Sequence, residues 1–152
     1  MIINPSDRNI KEEHITVILN EKLGVDYWIF ELGVGYVYET SDQNWRYSAP
    51  YLEYGKKLWS LIENEIYELI CSKNEPKDWV KELIEGDLRN LIIGIISAIT
   101  AKYDIGLGIA IPITALLIKK GIKQFCCLEI RSKSTHVDIE EIIKKRKIDS
   151  ET

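Results

Sequence analysis

The residue types that usually perform acid–base or nucleophilic chemistry do not form a catalytic pattern in this sequence. The chain has two histidines, His14 and His136, and no motif around either one pairs it with a nucleophile. Adjacent acidic residues such as Glu12 and Glu13 diverge on a helix and would not share a site. P-loop, G-x-S-x-G, H-E-x-x-H and EF-hand patterns are absent from the sequence. We therefore predict no catalytic residue and no cofactor, with a motif-free small hydrolase or ligand-binding protein as an alternative.

The three cysteines, Cys71, Cys126 and Cys127, predict buried free thiols and no metal site. Their number is odd, and their spacing matches neither a C-x-x-C pair nor a Cys/His zinc site. Residues 1–9 lack the apolar segment of a secretory signal. We expect a cytoplasmic protein, and the frequent use of Ile, Lys and Asn is typical of a low-GC bacterial source.

Aromatic residues are concentrated in one part of the chain, since ten of the fourteen lie within residues 27–59. Tyr and Trp suit surfaces that are partly dry and partly wet, so the segment could bind a partner or line a pocket. The alternative, which we favour for most of them, is that they pack the N-terminal layer against the core. The candidate interaction residues of this segment are Trp28, Tyr36, Tyr38, Trp45 and Tyr47.

The net charge of −4 combines two parts of opposite sign. Residues 1–87 carry nine Lys/Arg and 17 Asp/Glu, whereas residues 88–152 carry 11 and seven. The aromatic part is thus strongly acidic and would repel phosphate, so we predict no nucleic-acid partner.

The stretch 88–125 contains two uncharged runs, 90–101 and 105–118, and predicts the central apolar hairpin of the fold. Each run is shorter than the roughly 20 residues of a membrane-spanning helix, which favours two core helices. Asp87 can cap the first helix. Residues 103–108 indicate a turn. Pro112 suits the first turn of a second helix that begins near Ile111, which we favour, or a kink in a helix that begins nearer Ile105. A buried strand over 105–113 is the competing interpretation.

Two features of this stretch suggest contacts outside the core. Gly94, Ser97, Ala98 and Ala101 recur at helical spacing and could let another helix approach, within the chain or in a homodimer. Lys119, Lys120 and Lys123 follow the second apolar run. They could hold anionic headgroups if the hairpin entered a bilayer, which is the alternative function.

The remaining segments predict further helices and one β element. The sequence favours a helix that begins after Ser6 or Asp7 and ends near Glu21, with a strand over 14–20 as the alternative. Residues 25–40 have the aromatic and β-branched composition of a short hairpin, with Gly33 and Gly35 as breaks. Three more helices are predicted over 51–71, 76–86 and 137–147.

Together these observations predict a single domain over 1–152 that is mainly α, with a short N-terminal β element and the apolar hairpin 88–125 at its centre. The predicted function is a non-enzymatic protein-interaction module, an accessory bacterial protein that binds a protein partner or itself, with a homodimer expected.

Overall fold

The computed structural model describes residues 9–40 and 50–127, which form seven α-helices and one small β-hairpin. The fold is mainly α, as predicted. The helices are α1 (Glu12–Leu19), α2 (Val25–Thr40), α3 (Tyr51–Ile70), α4 (Asp78–Glu85), α5 (Leu88–Tyr103), α6 (Leu107–Lys120) and α7 (Ile122–Cys127). The strands β1 (Cys71–Ser72) and β2 (Glu75–Pro76) pair antiparallel between α3 and α4.

Helix α6 is the centre of the fold. Every residue from 105 to 117 is buried, as an all-round apolar helix requires. Helix α2 makes its most extensive contact with α3 and its next with α6, while α1, α5 and α7 also pack on α6. The predicted apolar hairpin is therefore confirmed as α5 and α6, joined by a turn at Asp104 in the left-handed conformation, with φ 49° and ψ 50°.

Helix α6 begins at Leu107, earlier than the predicted start near Ile111, so Pro112 lies inside the helix. Both the favoured first-turn position of Pro112 and the alternative strand over 105–113 were wrong, whereas the alternative of an earlier start with Pro112 inside the helix agrees with the structure. Pro112 has no N–H to donate to the carbonyl of Gly108, four residues earlier. That carbonyl faces Gly35 of α2, whose missing side chain leaves room for it.

The predicted hairpin over 25–40 was wrong, because these residues form the single helix α2 and the N-terminal β element is absent from the described residues. Gly33 and Gly35 do not break the chain. A Cβ on Gly33 would overlap the carbonyl of Tyr51 in α3, and one on Gly35 would lie 2.7 Å from the carbonyl carbon of Gly108 in α6. The two glycines let α2 pack closely between two neighbours, and this tertiary contact outweighs the β propensity of the segment.

Glycines on both α2 and α3 allow the backbones of these two helices to approach closely. Gly55 of α3 lies against the backbone of Ile29 in α2, so close that a Cβ on Gly55 would lie 2.8 Å from the carbonyl carbon of Ile29. The predicted apolar stripe of α3 faces the core, with Leu58, Ile62 and Ile66 completely buried. Close backbone approach and this stripe together fix α3 against α2.

The other predicted helices are confirmed with small shifts of their ends. Helix α1 forms where a strand over 14–20 was the alternative. Its predicted start after Ser6 or Asp7 was wrong, because the helix begins at Glu12 with Lys11 as its N-cap. Pro76 belongs to β2, and α4 begins two residues later at Asp78. The carboxylate of Asp87 caps α5 as predicted, accepting a hydrogen bond from the backbone N–H of Arg89 at 3.1 Å. The predicted helix over 137–147 lies outside the described residues.

Helix α7 is fastened to the end of α3 by a disulfide between Cys71 and Cys126. The prediction of free thiols was therefore wrong for these two residues and applies to Cys127 alone, which is exposed rather than buried. Phe125 of α7 packs against the rings of Trp59 and Tyr67, with centroid distances of 6.1 and 6.4 Å. The disulfide and these ring contacts hold the short helix α7 over the core.

Candidate interaction surfaces

His14 has a structural role at the start of α1. Its side chain is buried, and Nδ1 accepts a hydrogen bond from the backbone N–H of Lys11 at 3.0 Å. This bond satisfies one of the N–H groups that a helix start leaves without a partner. His136 lies outside the described residues.

The structure separates the predicted aromatic residues into two groups. Trp28 and Tyr36 are completely buried, so they belong to the core and not to a surface. Tyr38 is 40% exposed. Trp45 and Tyr47 lie outside the described residues. Among the five candidate aromatic interaction residues, Tyr38 is the one that lies on the surface of the described part of the chain.

Tyr38 belongs to a partly exposed, mainly apolar strip along one side of α2, on which the Phe30 ring also contacts Tyr51 of α3 at a centroid distance of 5.4 Å. Phe30 is also 40% exposed, and the side chains between them on this strip are partly exposed. We call this strip the outer face of α2; it consists of Tyr27, Phe30, Glu31, Val34 and Tyr38. These positions follow the three- and four-residue steps of one helix side. The sequence could have indicated Phe30 and Val34 only if α2 had been recognised as a helix.

The outer face of α2 has an acidic residue in its middle. Burial raises the pKa of the Glu31 carboxyl, because partial removal of water disfavours the charged form. Burial also raises the pKa of Tyr27, and the negative charge of Glu31 adds to that effect. Glu31 is thus a half-buried acidic residue on an otherwise apolar strip.

This raised pKa predicts a pH-dependent stability. The folded protein holds the Glu31 proton more tightly than the unfolded chain, so stability falls as pH rises through the raised pKa and stays lower above it. We expect Glu31→Gln to be more stable than the wild type at neutral pH and to lose this advantage below the ordinary carboxyl pKa of 4.5. Urea unfolding at a series of pH values measures the free energy of unfolding of the wild type and of the variant.

The control for this experiment is Glu68→Gln, which removes one negative charge from an exposed position of α3. Identical pH profiles for the wild type and Glu31→Gln would contradict the assigned burial of Glu31.

The small residues of α5 that could admit another helix are Gly94, Ser97, Ala98 and Ala101. At Gly94 this position is already occupied by helix α4 of the same chain. A Cβ on Gly94 would lie 2.6 Å from Cδ1 of Leu83 in α4, so Gly94 accommodates that side chain. Ala98 is half-buried, whereas Ser97 and Ala101 are exposed. The close approach that the small residues predicted occurs at Gly94, against α4.

The three predicted lysines lie in different surroundings. Lys119 donates a hydrogen bond from Nζ to the backbone carbonyl of Asn20 at 2.9 Å, which links the end of α6 to the segment after α1. Lys120 is exposed. Lys123 lies at the rim of an apolar groove that also contains Ile84 and Leu88. Lys120 and Lys123 are therefore exposed, whereas Lys119 is tied to the backbone of the segment after α1.

Within residues 9–40 and 50–127, no group of three or more His, Cys, Asp or Glu side chains is placed to bind a metal ion. No helix in the same part of the chain combines the length and apolarity needed to cross a bilayer. No protein-family model, curated protein or solved structure matches the chain.

Proposed function

We propose that this protein is a non-enzymatic interaction module and that the outer face of α2 binds its protein partner. The observation that supports this proposal is the exposure of two large aromatic side chains, Phe30 and Tyr38, on one side of a well-packed helix. Aromatic side chains contribute more binding free energy than most residues at protein interfaces. Helix α2 is held between α3 and α6 by Gly33 and Gly35, so the surface is presented on a rigid element.

The composition of the outer face indicates what a partner should offer. Phe30, Val34 and Tyr38 require an apolar surface, and Glu31 requires a cation or an N–H donor opposite it. A desolvated, paired charge at an interface contributes mainly to specificity. The partner is a protein, either a second copy of this chain or another chain, and the acidic balance of residues 1–87 disfavours nucleic acid.

The disulfide bears on the compartment in which this interaction takes place. Disulfides persist mainly in oxidising compartments, so the Cys71–Cys126 bond counts against the cytoplasmic location predicted from the sequence. The proposed interaction function is compatible with either the cytoplasm or an oxidising compartment.

Co-purification tests the proposal. The double variant Phe30→Ser/Tyr38→Ser should lose the proteins that co-purify with the tagged wild type after cross-linking, because it removes both aromatic anchors. Leu61→Ser is the matched control, since Leu61 is 39% exposed but lies on α3. The control should retain the partner. Equal loss in both variants, or retention by the double variant, would contradict the role of the outer face.

The burial of α6 supports a second candidate, a membrane-acting protein. Residues 105–117 form a continuous buried segment, followed by Lys119 and Lys120 at the helix end. Release of such a segment would expose an apolar helix with a basic end, which suits an anionic bilayer surface. Co-sedimentation with anionic liposomes that is lost when Lys119, Lys120 and Lys123 are changed to Glu would favour this candidate. We expect no co-sedimentation of the wild type.

A further inference from the structure

A separate apolar groove lies on the side of the core formed by α4, α5, α6 and α7. Its volume is about 420 Å³, within the range of about 300–1,000 Å³ that is typical of small-molecule sites. Leu91 and Ile122, each 6% exposed, are its most buried lining residues, and Ile84 and Ile118 are partly exposed. Leu88 is 45% exposed and lies in the first turn of α5. The groove is thus lined by aliphatic side chains at every depth.

The groove exists because α6 ends abruptly. Gly121 has φ +88°, a conformation that L side chains rarely adopt, and it turns the chain from α6 into the six-residue helix α7. Ile118 before this turn and Ile122 after it both line the groove, opposite Ile84 and the start of α5. Among the described residues, none fills the space between α7 and the start of α5.

One cation marks the rim. Among the described residues that line the groove, Lys123 is the only charged one, and Gln124 is the only other polar side chain. No carboxylate in the described part of the chain lies within ion-pair distance of Lys123 Nζ. An aliphatic groove with one cation at its edge is complementary to a linear apolar chain with one negative end.

We propose that this groove binds a free fatty acid, with the acyl chain along Leu88, Leu91 and Ile122 and the carboxylate at Lys123. The volume suits one medium-length chain and is small for the helix of a protein partner. Gln124 can donate a second hydrogen bond to the carboxylate from its amide. This site is independent of the outer face of α2, so each proposal can fail without the other.

Titration of the full-length protein with octanoate, decanoate and dodecanoate, each below its micelle concentration, tests the proposal. Affinity should rise about fourfold for each added methylene until the groove is filled, as expected for burial of a hydrocarbon chain. The resonances of Leu91, Ile118 and Ile122 should shift in NMR spectra. Absence of binding by all three acids, or affinity that does not depend on chain length, would overturn the proposal.

Two pairs of variants test the two ends of the site. Lys123→Met should weaken octanoate binding about two- to fivefold, the range of an exposed ion pair, and leave octanol binding unchanged. Lys120→Met, at a neighbouring exposed lysine outside the groove, should change neither. Leu88→Asp should weaken decanoate binding at least tenfold, whereas Leu61→Asp on α3 should not. The proposal would be overturned if Lys123→Met and Lys120→Met changed octanoate affinity equally, or if Leu88→Asp and Leu61→Asp changed decanoate affinity equally.

Discussion

Gly33→Val is expected to destabilise the protein by about 3 kcal/mol or more, at the upper end of the range for overpacked cores. The added side chain would overlap the carbonyl of Tyr51 and would lie 2.9 Å from the backbone N of Gly55. Both atoms belong to the backbone of α3, so no rotamer change can relieve the overlap. Denaturant unfolding followed by circular dichroism measures the loss.

The same reasoning applies to Gly35→Val, whose side chain would meet the backbone of Gly108 in α6. Gly24→Ala is the control, because nothing lies within 4 Å of a Cβ there. It should cost less than about 1 kcal/mol, the usual effect at a helix start. If Gly33→Val and Gly24→Ala were equally stable, the close packing of α2 on α3 would be incorrect.

Reduction of the Cys71–Cys126 disulfide is expected to lower stability by about 4 kcal/mol, the chain-entropy effect of opening a loop of this size. The two cysteines are 55 residues apart, and the loop they close contains α4, α5 and α6. Unfolding with and without a phosphine reductant measures the difference.

Two cysteine variants separate the disulfide from the remaining thiol. Cys127→Ser should keep the sensitivity to reductant, because Cys127 is outside the bond. Cys71→Ser/Cys126→Ser should be less stable from the start and insensitive to reductant. Thiol titration of the unreduced, denatured wild type should detect Cys127 alone. Detection of all three cysteines would contradict the disulfide.

The sequence predicted best the elements whose signals are local. Asp87 is a capping residue directly before an apolar run, and α3 has a long stripe with one polar side; both predictions are confirmed. Helix α2 was predicted incorrectly because its β-branched and aromatic composition, with Gly33 and Gly35 in the middle, is locally that of a hairpin. The function of those glycines depends on α3 and α6, which are distant in sequence.

The disulfide and the surroundings of the candidate surface residues depend on contacts between residues that are distant in sequence, so the sequence could not predict them. Cys71 and Cys126 come together only because α7 folds back onto the end of α3. Tyr38 was named as a candidate interaction residue and is exposed. Phe30, which is equally exposed, was missed because its position on the same side of α2 is evident only once the segment is known to be a helix. Lys123 was selected for its charge, but its apolar surroundings come from α4 and α5.

Site-specific photo-crosslinking in the source cells tests the proposed interaction function most directly. A photoreactive phenylalanine analogue at position 30 or 38 lies on the outer face of α2, and the same group at position 61 lies on α3 with similar exposure. We predict a discrete cross-linked product from positions 30 and 38 and none from position 61. A product of twice 17.6 kDa would identify a second copy of the chain as the partner. No product from positions 30 and 38, or the same product from position 61, would contradict the proposal.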